Sequence, residues 1–293
     1  MQTGKVFCIK TCIGCTFVVF IKILRVHQEK REGTYMFKNE FATLCNAGKA
    51  KADFLEKNKV GYFVSALMAG LFIAFGGFIT FTWGANLTIN GAPAMVRGAQ
   101  SFSFAAALSL IVMAGAELFT GNNLVMAGSS LGGSVSWGET IKLWIVCYIG
   151  NLLGSLISAV GFQISGVPSG DVGAYYAKIA ETKMHLAPQE LIFRGIFCNI
   201  LVCLAVWCGF KLKSEAAKLI MIFWCIFVFM ICGFEHSIAN MSVLAVGLMN
   251  AGDASVSIGG YIYNVGLVTL GNMIGGAIFV ALPYYITAKE PKK

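Results

Sequence analysis

The chain has 293 residues, of which 57% are hydrophobic and 12% charged. Soluble domains carry about 25% charged residues, so the composition excludes a soluble globular domain and points to a membrane protein. The formal net charge of +8 would suggest an acidic partner in a soluble chain, but eleven of the 22 Lys and Arg lie in the first 61 positions. Such clustering marks the cytoplasmic side of a first membrane span, and no nucleic-acid partner is expected.

The N-terminal piece comes first. Cys8, Cys12 and Cys15 have a spacing that some iron–sulfur enzymes use, but nothing downstream resembles a soluble barrel to house a cluster, so the spacing is read as coincidence. The apolar run "CIGCTFVVFIKIL" is too short for a span, and no small-residue cleavage site makes it a signal peptide. Met36 opens "MFKNEFATLCNAGKAKADFLEK", an amphipathic stretch that makes a natural start. Residues 1–35 are therefore expected to be an extension that is not native, and residues 36–61 a cytoplasmic amphipathic segment. Cys147, Cys198, Cys203, Cys208, Cys225 and Cys232 sit in apolar runs, where thiols behave as small hydrophobes. No cofactor, metal or disulfide framework is expected.

Residues 62–288 read as six spans. The first covers 62–83, the second begins near Gly98 and is interrupted at Glu117, and the third runs over about 143–165. The fourth covers 191–210, the fifth about 218–248 and the sixth about 258–286, before a tail at 289–293. Each is long enough to cross at about 1.5 Å per residue. With both termini cytoplasmic, eighteen Lys and Arg fall inside, against Arg97, Lys178 and Lys183 outside, which fixes the expected orientation. Arg194, at the start of the fourth span, reads as snorkelling toward the outer interface.

Two interrupted spans share one pattern. "GAELFTGN" places Gly115, Glu117 and Asn122 where "GFEHSIAN" places Gly233, Glu235 and Asn240, 118 residues later. "GNLLG" (150–154) and "GNMIG" (271–275) repeat at an offset of 121. Three spans per copy is an odd number, so the second copy enters from the opposite side: an inverted 3+3 repeat with helices 2 and 5 broken near the midplane. The paired glycines (Gly150/Gly154 and Gly271/Gly275) read as close helix packing. Freed backbone groups inside a bilayer must find protein partners, so Glu117, Asn122, Glu235 and Asn240 are expected to serve the breaks structurally, the glutamates by accepting from backbone donors. His236 has no counterpart, because the equivalent position is Leu118. It reads as a pore-facing hydrogen-bond donor or proton carrier.

"AELFTGNNL" and "GFEHSIANM" resemble the two signature stretches of the formate/nitrite transporter family, which includes hydrosulfide channels, and the resemblance spans about residues 37–288. It implies an all-α, aquaporin-like plan with one pore per protomer, a homopentamer in the cell (inner) membrane, and no enzymatic activity. It further implies that Thr120, Lys183, Asn199 and His236 line the substrate pathway, Lys183 raising the positive potential for anions. Phe104, Leu108, Leu118, Val202 and Phe229 would surround two apolar constrictions. On sequence pattern alone these five would pass as ordinary core or lipid-facing residues.

The expected activity is passage of a small monovalent weak-acid anion (formate, hydrosulfide or nitrite), either held by hydrogen bonds or protonated and crossing as the neutral acid. A water- or glycerol-like pore is the alternative; those channels carry "NPA" at the breaks, and this sequence has none. An intramembrane hydrolase using Ser237 or Ser129 with His236 has poor spacing for a nucleophile–base pair.

Overall fold

The computed structural model describes residues 37–289. The extension 1–35, with Cys8, Cys12 and Cys15, and the start at Met36 lie outside the described residues. All regular structure among the described residues is helical. Six helical stretches are long and apolar enough to cross a membrane: Lys59–Ile89, Pro93–Ala114, Trp137–Ile164, Pro188–Lys211, Glu215–Cys232 and Ile258–Ala288.

The amphipathic segment forms α1 (Lys38–Lys57), which buries Phe41, Leu44, Cys45, Ala52 and Leu55. Asn58 then caps α2 (Lys59–Ile89), its side chain accepting from the Gly61 N–H at 2.8 Å. After a turn, Pro93 occupies the first turn of α3 (Pro93–Ser103), where its missing N–H costs nothing. The second crossing thus starts five residues earlier than expected and takes Arg97 into the helix instead of the preceding loop. Phe104 separates α3 from α4 (Ala105–Ala114). Residues Gly115–Leu118 are not helical, and α5 (Phe119–Leu131) follows.

A Ser136/Glu139 capping box starts α6 (Trp137–Ile164), the arrangement that satisfies two orphan donors reciprocally. Between it and α8 (Pro188–Lys211) lies α7 (Gly170–Met184), a helix where the sequence reading had a plain outer loop. The chain continues through α9 (Glu215–Cys232), non-helical Gly233–His236, and α10 (Ser237–Met249). It ends with α11 (Ile258–Gly276), a π-helical turn at Ala277–Ala281 and α12 (Leu282–Ala288). The π turn sits just before Pro283, whose ring cannot donate to a regular ladder.

Two helix pairs approach closely because glycine removes side chains from the contact. A Cβ on Gly150 would meet the Ala66 methyl at 2.6 Å, and one on Gly154 would collide with the Leu67 carbonyl, so α6 lies against α2. Cβ atoms on Gly271 and Gly275 would collide with the Ile192 and Ile196 carbonyls, bringing α11 against α8. These are the glycines whose repeated spacing predicts close packing. We expect Gly271→Ala to lower the stability of the purified protein by about 1–3 kcal/mol through overpacking. Gly161→Ala, whose Cβ would meet nothing within 4 Å, should be neutral or slightly stabilising. Thermal unfolding in detergent distinguishes the two.

Candidate functional site

The two non-helical stretches carry backbone groups that no helix ladder satisfies, and each is served by one asparagine. Asn151 on α6 accepts from the Phe119 N–H at 2.9 Å and donates to the carbonyls of Ala66 at 2.7 Å and Glu117 at 2.9 Å. Asn272 on α11 does the same work at the second stretch. It accepts from the Ser237 N–H at 2.9 Å and donates to the carbonyls of Gly195 at 2.8 Å and Glu235 at 3.0 Å. Glu117 N–H reaches the Ser65 carbonyl at 3.3 Å and Glu235 N–H the Arg194 carbonyl at 3.2 Å. One pattern of bonds is therefore made twice, at Gly115–Leu118 and at Gly233–His236. Gly115 (φ +79°) and Gly233 (φ +73°) end the preceding helices in a conformation that disfavours a side chain.

The glutamates act differently from expectation. The Glu117 carboxylate accepts from Lys51 Nζ at 2.6 and 2.7 Å, from Asn122 Nδ2 at 2.9 Å and from the Tyr62 hydroxyl at 3.3 Å. The Glu235 carboxylate accepts from Lys183 Nζ at 2.7 Å to both oxygens and from Asn240 Nδ2 at 2.7 Å. Side-chain donors, not backbone N–H groups, thus occupy both carboxylates; the backbone work falls to Asn151 and Asn272. The physical reason is charge: a carboxylate this buried is stable only against a cation. Asn240 also donates to Asn264 at 2.8 Å, and Asn264 to the Lys183 carbonyl at 2.8 Å, which fastens α7 to the second stretch.

His236 is 4% exposed and forms the N-cap of α10, with Nδ1 accepting from the Ala239 N–H at 3.1 Å. An acceptor nitrogen carries no proton, so the ring proton lies on Nε2, 3.0 Å from Thr120 Oγ1. His236 also faces a closed chamber of about 10 Å³, room for a single water, lined otherwise by Ile73, Phe104, Leu108, Leu118, Val202, Ile226 and Phe229. All five side chains assigned to constrictions therefore meet in one place.

Two vestibules flank this chamber. One, of about 380 Å³, contains Lys183, Glu235, Arg97 and Arg194 and ends on Phe104, Phe229 and His236, where the two phenyl rings pack edge to face with centroids 5.7 Å apart. The other, of about 490 Å³, contains Lys51, Glu117 and Lys218 and ends on Leu108 and Leu118. Phe104 and Phe229 thus border both the chamber and the first vestibule, Leu108 and Leu118 both the chamber and the second, and Val202 lines the chamber between these pairs.

Asn199 is the residue whose surroundings differ most from the expected pore lining. Its Nδ2 donates to the carbonyls of Thr120 at 3.2 Å and Asn272 at 2.6 Å, so it ties α5 to α11. Ser129 hydrogen-bonds the Val125 carbonyl at 2.7 Å, and the ring nitrogens of His236 are engaged by Ala239 and Thr120, an arrangement unlike a nucleophile–base pair. The residues that sequence reasoning missed are Lys51, Tyr62, Asn151 and Asn272. The last two had a signal, an asparagine after the first glycine in both "GNLLG" and "GNMIG".

Six apolar crossings around a closed chamber between two charged vestibules define a multi-pass helical membrane transport protein. Residues 38–286 match the formate/nitrite transporter family, and the chain belongs to that family. It is 36% identical over 248 residues to the nitrite transporter NirC of Escherichia coli (strain K12), covering 84% of this chain and 91% of the relative. To the formate channel FocA of the same strain it is 32% identical over 252 residues, covering 78% and 87%. Among solved structures, an FNT family ion channel superposes with a TM-score of 0.81 at 30% identity, over 85% of this chain and 99% of that one. A pentameric formate channel with formate bound gives 0.68 at 29% identity, over 79% and 98%.

Two outcomes test the assignments. Asn272→Ala strands a buried N–H and two carbonyls and should destabilise the protein by about 3 kcal/mol, read by thermal unfolding. Lys183→Met and Glu235→Gln should each cost about 3–5 kcal/mol by leaving one partner of a buried pair alone. The double variant should recover most of that loss in a double-mutant cycle.

Proposed function

We propose that this chain forms a channel or transporter for small monovalent weak-acid anions, formate and nitrite foremost, with hydrosulfide within the same class. The observation that carries the reading is His236, its Nε2 hydrogen-bonded to Thr120, as the one polar residue among the described residues lining an otherwise apolar chamber between two lysine-bearing vestibules. A bare anion loses many kcal/mol on entering such a chamber. A positioned donor, or a proton acquired on the way, removes much of that cost. The reading is built on two three-span halves related as an inverted repeat, with α4/α5 and α9/α10 as interrupted crossings. Five copies form the assembly, each with its own pathway, and both termini lie on the cytoplasmic side with residues 62–288 as the channel domain.

His236 acts in this reading as a neutral donor. Its Nδ1 faces the Ala239 N–H at the start of α10, where the helix dipole also opposes a positive ring. An imidazolium would set N–H against N–H. The proton that accompanies the weak acid is therefore taken from vestibule water, while Thr120 and the His236 ring keep one hydrogen bond available to the crossing species. Phe104 and Phe229 on one side and Leu108 and Leu118 on the other, with Val202 between, admit only a species shed of most of its water. Glu117 with Asn122 and Glu235 with Asn240 hold the two interruptions in place.

Formate and nitrite uptake into proteoliposomes between about pH 5 and 8 tests this. Thr120→Val, which deprives Nε2–H of its partner, should lower formate flux about tenfold. His236→Asn should lower the flux while keeping the shape of the pH profile. A changed shape would contradict the neutral-donor reading and assign proton carriage to the ring.

A further inference from the structure

Three cations line the Lys183 vestibule, and two are paired with carboxylates. Lys183 holds both oxygens of Glu235 at 2.7 Å, and Arg194 reaches Glu190 at 3.0 Å. Arg97 differs: among the described residues its guanidinium has no hydrogen-bond or ion-pair partner, although it lines the same cavity and is exposed to it. It is held against the second non-helical stretch. A Cβ on Gly233 would lie 3.1 Å from its Nη1 and 3.3 Å from its Nη2. The fork therefore sits over Gly233, three residues from His236, on the side of the chamber closed by Phe104 and Phe229.

We infer that Arg97 is the residue that captures the anion in this vestibule and selects for planar species with two oxygens. This rests on the anion-transport reading above. Lys183 cannot fill the role while Glu235 occupies it, so the free positive charge of this mouth belongs to Arg97. A guanidinium presents two parallel N–H donors that match a carboxylate or nitrite bidentately, whereas an ammonium offers a point charge. Hydrosulfide, with a single acceptor atom, gains the charge attraction and not the paired geometry. The other vestibule presents two lysines, Lys51 on Glu117 and Lys218 on Glu215 at 3.0 Å, so the fork distinguishes one entrance from the other.

The test compares KM for formate and hydrosulfide in proteoliposomes of wild type, Arg97→Lys and Arg97→Gln, with the leak of protein-free vesicles subtracted and oligomeric state checked by size exclusion. Arg97→Lys keeps the charge and loses the fork: KM for formate should rise about tenfold or more, the loss of one charge-assisted hydrogen bond, with hydrosulfide changed less than about twofold. Arg97→Gln should raise both and flatten the dependence of uptake on ionic strength. Wild-type transport of both anions with an unchanged KM ratio in Arg97→Lys overturns the inference alone. Wild-type vesicles that pass neither anion overturn the transport reading and the inference with it.

Discussion

Two non-helical stretches, Gly115–Leu118 and Gly233–His236, leave N–H and C=O groups outside any helix ladder, and the rest of the structure depends on how they are satisfied. Each unpaired group costs several kcal/mol in hydrocarbon. Asn151 and Asn272 meet that cost with one side chain each, accepting one backbone N–H and donating to two carbonyls. They can reach only because Gly150, Gly154, Gly271 and Gly275 bring α6 against α2 and α11 against α8. Close packing, the asparagine bracket and the non-helical stretch are one device made twice.

With the backbone satisfied, the side chains that follow are free to do chemistry. His236 begins α10, and its cap to Ala239 fixes which nitrogen carries the proton. Thr120, in the first turn of α5, meets that proton. The buried glutamates are held by Lys51 and Lys183, so each vestibule has charge close to the chamber without leaving a carboxylate unpaired. Burial and pairing oppose one another here: the lysine that looks in sequence like an attractor for anions is largely committed to its glutamate.

The six crossings were legible because long uncharged runs stand out in the sequence, and the two non-helical stretches because a polar cluster lies within such runs. The repeated Gly–Glu–Asn and Gly–Asn patterns marked the two non-helical stretches and the asparagines that serve them. Other parts were hidden for physical reasons. In a membrane both the lipid face and the protein face are apolar, so Ile73 and Ile226 carry no mark that they line a chamber. Lys51 lies in an amphipathic helix among solvated lysines, 66 positions from its carboxylate. Lys51 and Lys183 are 132 residues apart, outside the offset that reveals the other pairs. The resemblance implies that Asn199 lines the pathway; its Nδ2 donates to backbone, the carbonyls of Thr120 and Asn272. The glutamates were matched to the breaks, but their partners could be identified only once α1 and α7 were in place.

The central claim is that the chamber between Phe104/Phe229 and Leu108/Leu118 passes small weak-acid anions and rejects neutral solutes of similar size. The most direct measurement is the permeability of wild-type proteoliposomes to formate and to glycerol in one preparation. Formate passing far above the protein-free leak, with glycerol at that leak, is the expected result. Glycerol passing as fast as formate would contradict the account and make the chamber a neutral-solute pore.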